Sequence, residues 1–228
     1  KPFNLNMHTA RLLMREPFFA ALSRRIDKIA STAIPTAGVR VNPDSAQFEL
    51  LYNPQFFASL SDTHKLGILK HEFYHLIFEH VTGRKPADGL KRIDNIAMDL
   101  SINCHISNEL PSESDPGPTV GKEQMQACIP GEGMFKDLPP YKTYEWYLEA
   151  LKKMRDEQSQ DGDGEGSGDP FGGMDSLDDH EGFGEVDGTT QEIASERMKE
   201  TIKKAAEEAE KARNWGSVSS SMRGEIMD

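Results

Sequence analysis

The stretch His71-Glu72-Phe73-Tyr74-His75 decides how the rest of the chain is interpreted. On a helix, two imidazoles four residues apart project from the same face and can bind one metal ion. Glu72 follows the first imidazole and is not a ligand in this H-E-x-x-H pattern, so it can take a proton from a metal-held water. One helical turn therefore supplies two ligands and a base, and the chemistry that it predicts is the hydrolysis of a peptide bond.

Apolar residues recur at helical spacing through this stretch, and they predict one helix over residues 62–82. The recurring residues are Leu66, Leu69, Phe73 and Leu76. Ser61 or Asp62 can cap its N-terminus. His71 and His75 share a stripe with an isoleucine at its edge, whereas a solvated face usually carries Lys and Glu. The pattern favours a metal site over a surface helix with incidental histidines.

A polar stripe in the next predicted helix offers a third ligand. A turn over residues 83–89 is followed by helical spacing over residues 90–106. Asn95, Asp99 and Asn103 lie four residues apart in this otherwise apolar helix. Buried polar groups need partners, and a metal ion is one such partner. A carboxylate that bonds only to neighbouring amides remains the alternative for Asp99.

The expected depths of these residues support a site of His71, His75 and Asp99. If the two helices are antiparallel, His75 and Asp99 lie about 10 and 13 Å from the turn between them. We therefore predict a zinc site of the catalytic kind, with water as the fourth ligand. Asn103 or Asn95 is expected to orient Asp99 through a hydrogen bond.

His80 is the rival for the third ligand position. On a continuous helix it lies about 180° around from His71. It can bind the metal only if the helix breaks after His75, and residues 76–79 contain no Gly or Pro. A core or boundary histidine is therefore the preferred interpretation. His105 is a candidate for stabilising an oxyanion, a role that a tyrosine fills equally well.

The charge of the chain is concentrated in one segment. The net charge is -12, but residues 156–187 hold 12 acidic residues and no Lys or Arg. The rest is close to neutral, so there is no basic footprint for nucleic acid, and no apolar run approaches the roughly 18 residues of a membrane helix. Cys104 and Cys128 are too few for a disulfide framework, which favours a reducing compartment. We expect a cytoplasmic protein.

The predicted elements around the motif form an α+β, mainly helical domain over residues 1–155. They are helices over residues 8–30 with a break at Pro17, a β-hairpin of residues 38–42 and 47–52, a short helix over 56–60, an irregular connection over 107–140 and a helix over 141–154. An edge strand of the hairpin can hold an extended peptide by main-chain hydrogen bonds. A strand that merely packs on the helix is the alternative.

Beyond this domain we predict an acidic, Gly-rich, disordered linker over residues 156–188 and a charged C-terminal helix and tail over residues 189–228. Part of the linker matches an EF-hand loop, but Gly172 stands where a bidentate Glu is needed, so calcium binding is not the preferred interpretation. Thr189 and Glu192 predict a capping box for the helix. Its narrow apolar stripe, which predicts shallow packing against a neighbour such as a further C-terminal region, is Met198, Ile202, Ala205, Ala209 and Ala212.

Four segments follow one another in a distinctive order. They are Leu51-Tyr52-Asn53-Pro54, His71-Glu72-x-x-His75 with His80 after it, Ile96-Ala97-Met98-Asp99-Leu100-Ser101-Ile102-Asn103, and Thr143-Tyr144-Glu145-x-Tyr147. In this order they resemble a bacterial and phage metallopeptidase family that pairs a zincin-like N-terminal domain with a von Willebrand A-like C-terminal half. The present chain stops at Asp228 without an A-like domain, so we expect it to correspond to the N-terminal part, either as a fragment or as a shortened member. If it is phage-encoded, as the resemblance allows, we expect it in the host cytoplasm.

The resemblance implies a zinc-dependent peptidase that acts on a peptide or protein substrate. Its ligands are then His71, His75 and, as the third, Asp99, with Glu72 as the base. The alternative is a non-catalytic module in which zinc fastens two helices together. In that case the linker and the C-terminal helix recruit a protein partner, such as a ring ATPase or a virion component.

Overall fold

The computed structural model describes residues 1–78, 92–160, 171 and 186–228, and its fold is α+β. Helices and a three-stranded sheet pack together, and a second, two-stranded sheet lies in a connection. The core is one cluster of buried apolar side chains drawn from every part of the chain that is described. In those ranges no helix combines the length and apolar character needed to cross a membrane.

The chain begins with two short helices, α1 (Leu5–Leu12) and α2 (Pro17–Ser23). Pro17 lies in the first turn of α2, where its missing N–H costs nothing, so the predicted break is confirmed. The helical prediction over residues 24–30 is wrong, because Asp27–Ala30 forms strand β1. This strand pairs in parallel with a strand some 20 residues further on, and such long-range pairing overrides the local helical spacing.

The predicted hairpin is confirmed as β2 (Ala37–Val41) paired antiparallel with β3 (Phe48–Tyr52). Its turn is held by the side-chain oxygen of Asn42, which accepts hydrogen bonds from the N–H groups of Asp44 and Ser45. The strand order is β1-β3-β2, so β3 is central and the other two strands are the edges.

Helix α3 (Pro54–Ser59) leads into helix α4 (Asp62–Ile77), which carries the motif. Asn53 caps α3 and Ser61 caps α4, each through a side-chain oxygen that accepts backbone N–H groups. Helix α4 is almost wholly buried because β2, α2, helix α5 (Arg92–Asn103) and the C-terminal helix α7 (Gly188–Ala212) pack around it. Residues 79–82 of the predicted helix and the predicted turn over 83–89 lie outside the described residues.

The connection after α5 is mostly irregular, as predicted, with four short elements: 3-10 turns at Ser107–Glu109 and Gly133–Phe135, and strands β4 (Thr119–Val120) and β5 (Glu123–Gln124). Helix α6 (Tyr144–Gln160) follows and packs on α5. A helix was expected over residues 141–154, but it continues to Gln160, so the prediction of a disordered linker is wrong for residues 156–160.

The C-terminal part forms α7 (Gly188–Ala212) and α8 (Ser220–Met227), the second of which was not predicted. The cap of α7 is Asp187, whose side chain accepts from the N–H of Thr190, so the predicted capping box at Thr189 is wrong. Residues 161–170, where the EF-hand-like spacing begins, and Gly172 lie outside the described ranges.

The neighbour of α7 is helix α2 of the same chain. Ala205 and Ala209 of the predicted stripe are fully buried in this contact region, whereas Ala212 is exposed. Glu208 reinforces the contact by pairing with Arg25 at 2.8 Å and with Arg24. The small side chains allow close approach of the two helices.

Candidate metal centre

Helices α4 and α5 run antiparallel where the candidate residues meet. The Nδ1 atom of His71 lies 2.7 Å from Oδ1 of Asn103, and Nε2 of His75 lies 3.5 Å from Oδ1 of Asp99. A step of four residues forward on α4 is thus matched by a step of four residues backward on α5. The predicted antiparallel arrangement is confirmed, and it places the three expected ligands side by side.

His71, His75 and Asp99 place their donor atoms in a compact triangle. The two Nε2 atoms are 3.1 Å apart, and each lies 3.5 Å from Oδ1 of Asp99. A tetrahedral zinc ion with bonds of about 2.1 Å needs donor atoms about 3.4 Å apart. The three side chains are at most 1% exposed, so they form a buried donor set that fits a zinc ion.

Asn103 selects the tautomer of His71 that a metal requires. Its Nδ2 donates to the backbone carbonyl of Cys128 at 2.9 Å, which turns its Oδ1 towards His71. The Nδ1 of His71 must then carry the proton and donate it to Asn103, so its Nε2 presents a lone pair to the triangle. Asn103 therefore orients a histidine, whereas we expected it to orient Asp99.

Electrostatics favour a cation at this position. A carboxylate taken out of water carries a large desolvation cost that an opposite charge offsets. Asp99 is 1% exposed, and its Oδ1 lies 3.5 Å from the Nε2 atoms of both His71 and His75. A divalent ion held by these three side chains would offset the charge of the carboxylate and accept the lone pairs of the imidazoles.

Glu72 is buried on the same helix turn, between the two histidines in sequence. It is fully inaccessible to solvent, as are both imidazoles. The predicted base and the predicted ligands therefore share one dry region of the molecule, in which electrostatic interactions are stronger than in water.

Two histidines of the described residues, His64 and His105, have partners outside the donor triangle. His64 is bonded to Asp115 at 3.0 Å. His105 packs against the rings of Tyr74, Phe78 and Tyr141, and burial lowers its pKa, so it is neutral near pH 7. His80, the rival ligand, lies outside the described residues.

Neither cysteine joins the donor triangle. Burial raises the pKa of the Cys104 thiol, and its sulfur accepts the backbone N–H of Tyr141 at 3.4 Å. Cys128 contributes its backbone carbonyl to Asn103. Over the described ranges, the grouping of His, Cys and acidic side chains that can hold one ion has three members, His71, His75 and Asp99.

Sequence reasoning missed Lys70, which lies directly before the first histidine and is fully buried. Its ammonium group bonds to Glu16, Glu109 and Ser217, which are 54, 39 and 147 residues away in the chain. The available signal was a lysine inside an otherwise buried helix. No local sequence pattern identifies Glu16, Glu109 and Ser217 as its partners.

Comparison with known proteins gives one match. The model of a protein family described as "Putative metallopeptidase domain" matches residues 2–228. No curated protein and no solved structure is significantly similar to the chain.

Proposed function

The chain belongs to this family of metallopeptidase domains, and from that premise we propose that it is a zinc-dependent peptidase. The observation that carries the proposal is the triangle of His71, His75 and Asp99, with donor atoms 3.1 to 3.5 Å apart in a buried site. The described residues bring three donors together, and we propose that water or substrate takes the fourth position of a tetrahedral ion.

The residues of the chain have separate tasks in this proposal. His71, His75 and Asp99 hold the ion, and Asn103 keeps His71 in the binding tautomer and orientation. Zinc, when bound, supplies a Lewis acid that polarises the scissile carbonyl and increases the acidity of water. Glu72 accepts the proton of the attacking water and delivers it to the departing amine nitrogen.

The domain that we propose is zincin-like. In support, a small sheet precedes the motif helix, and its edge strand β2 packs against α4. An extended peptide can add to such an edge by main-chain hydrogen bonds, which would bring its scissile carbonyl close to the ligand helix. The resemblance also implies a von Willebrand A-like C-terminal half, and this part of the prediction stays a proposal.

The first experiment is elemental analysis of the purified protein and of its Asp99→Ala variant. We expect one zinc per chain in the parent and a clear loss in the variant, which loses one of three ligands. Zinc content that does not change in Asp99→Ala would remove Asp99 from the site. A well-folded parent without any zinc would contradict the metal site as a whole.

The second experiment separates the base from the ligands. Glu72→Gln keeps the size of the side chain but cannot accept a proton, so cleavage of a peptide library should fall by about 10²–10⁴-fold while zinc is retained. Glu149→Gln, at an exposed position on α6, is the matched control and should behave like the parent. Undiminished cleavage by Glu72→Gln would exclude Glu72 as the base.

The non-catalytic module remains the alternative, and chelation distinguishes the two functions. A structural zinc is closed by four protein ligands and holds the fold, so its removal unfolds the domain. A catalytic zinc with an open position can be removed while circular dichroism still reports a folded chain. We expect the second result, because the described core is large and does not depend on the triangle alone.

A further inference from the structure

Lys70 lies at the centre of a buried ionic cluster on α4. Its Nζ donates to Oε1 of Glu16 at 2.8 Å, to both carboxylate oxygens of Glu109 at 2.9 Å and to Oγ of Ser217 at 2.8 Å. The Lys70 side chain is fully buried, and the ring of Phe19 lies 5.7 Å below its ammonium group. A buried ammonium group is stable only when such partners replace its water.

The contacts of Glu109 tie α4 to the segment that carries Asp99 and Asn103. Glu109 belongs to the 3-10 turn that follows α5, only six residues after Asn103. Its backbone carbonyl also lies so close to Gly67 that a Cβ added there would be 2.1 Å from the oxygen. The helices that supply the ligands are thus joined at the ligands and again on the neighbouring flank of α4.

The contacts of Glu109 with Lys70 and Gly67 fix the register of α4 against α5. The donor triangle depends on that register. One residue along a helix is a rise of about 1.5 Å. A slip of α4 against α5 by that distance would separate donor atoms that now lie 3.1 to 3.5 Å apart. Lys70 directly precedes His71, so its bond to Glu109 resists sliding of α4 against α5 next to the first candidate ligand.

The segment Trp215–Val218, here called the C-terminal clasp, completes the surroundings of Lys70. Ser217 donates both its N–H and its hydroxyl to Oε2 of Glu16, at 2.9 and 3.0 Å, and accepts from Lys70. Trp215 stacks on Phe18 with ring centroids 5.3 Å apart. The clasp lies between α7 and α8, so it connects the far C-terminal part of the chain to the ligand helix.

Gly216 shows how closely the clasp fits. Its φ of +63° favours glycine, and an added Cβ would lie 2.3 Å from Oε2 of Glu16 and 2.8 Å from the backbone oxygen of Arg15. Any other residue there must displace the clasp from Glu16. Gly224 in α8 offers a contrast, since an added Cβ meets nothing within 4 Å.

From these contacts we infer that Lys70 is a positioning residue for the metal centre, and that docking of the clasp and binding of the metal stabilise each other. Glu16 and Ser217 bind the ammonium group of Lys70. The bond of Lys70 to Glu109 fixes the register of α4 against α5, and that register keeps the three donor atoms together. The inference rests on the metal site of the proposed function, but it does not require that the site be catalytic.

The zinc affinity of variants in the clasp tests whether docking of the clasp strengthens zinc binding. We expect the full-length Gly216→Ala variant to bind zinc about tenfold more weakly than the parent in a competition with a chromophoric chelator. Ser217→Ala, a milder change that keeps the backbone bond to Glu16, should lose a few-fold. Gly224→Ala is the matched control and should bind as the parent does. The comparison is made where circular dichroism shows all four proteins to be folded.

Hydrogen exchange tests the same coupling in the other direction, because a coupling free energy is reciprocal. Saturating zinc should slow exchange of the Ser217 amide, which is bonded to Glu16, by a factor similar to the affinity loss in Gly216→Ala. Equal zinc affinities in parent and clasp variants, or exchange that zinc does not change, overturn the coupling while the metal site stands. A parent that binds no zinc overturns the proposed function and the coupling together.

Discussion

At the scale of single residues, the candidate site depends on one amide. Asn103 is fully buried and bridges the carbonyl of Cys128 and the imidazole of His71, and both bonds have short distances of 2.9 and 2.7 Å. Hydrogen bonds of this kind fix the orientation and basicity of a histidine ligand. The H-E-x-x-H pattern identifies the candidate ligands, but this amide decides which nitrogen of His71 is available.

Replacement of Asn103 by Leu should therefore weaken zinc binding by about 10–100-fold, because His71 loses its acceptor and can take the wrong tautomer. Asn95→Leu on the same helix is the matched control. The Oδ1 of Asn95 has no hydrogen-bond partner in the part of the chain that is described, so its loss should leave zinc affinity near that of the parent. Chelator competition measures both. If the two variants bind zinc equally well, Asn103 does not orient the ligand.

At the scale of elements, a contact that no local pattern predicts fixes how the motif helix packs. Gly67 lies inside α4, where glycine normally weakens a helix by about 0.5–1 kcal/mol relative to alanine. Here the missing Cβ allows the backbone of Glu109 to approach. The glycine therefore serves the packing of the 3-10 turn on α4 rather than the helix itself.

Gly67→Ala should lower the free energy of unfolding by about 1–3 kcal/mol, since the new methyl group forces the 3-10 turn away from α4. Gly224→Ala, in open space on α8, should instead be neutral or stabilising by up to about 1 kcal/mol. Urea unfolding followed by circular dichroism gives both values. A stabilised Gly67→Ala variant would mean that the close approach of Glu109 is not maintained in solution.

Strand β1 was missed because the apolar residues before it continue the helical spacing. Ile26 continues the apolar spacing of α2, but Asp27–Ala30 obtains its hydrogen bonds from β3 in a parallel register. A parallel pair is formed by residues that are distant in the sequence, so a local sequence pattern cannot predict it. The hairpin of β2 and β3 was predictable because its turn residues lie between its strands.

At the scale of the whole molecule, helix α7 packs on α2 and carries the C-terminal clasp to the ligand helix. Ala209 is fully buried in α7, whereas Ala212, one turn later, is exposed. The C-terminal helix is thus part of the same packed core as the N-terminal helices. Its stripe of alanines suits this role because small side chains permit close helix contact.

Ala209→Asp should destabilise the protein by about 3 kcal/mol or more, because it places a carboxylate in this core. Ala212→Asp should change stability by no more than about 0.5 kcal/mol. Urea unfolding is followed by the fluorescence of Trp215, which stacks on Phe18, and by circular dichroism. An Ala209→Asp variant in which only α7 detaches, with the rest unfolding as in the parent, would show that α7 is an independent appendage.

The sequence by itself determined the helix of the H-E-x-x-H motif, the hairpin before it, the antiparallel return helix and the three candidate donor residues. These features depend on residue spacing within one helix or across a short connection. Their physical cause is local, so the sequence pattern predicts them. Only the tertiary structure decided the role of Asn103, the burial of Lys70 among Glu16, Glu109 and Ser217, and the place of β1 and α7. Those contacts join residues up to 147 positions apart, and packing in three dimensions alone brings them together.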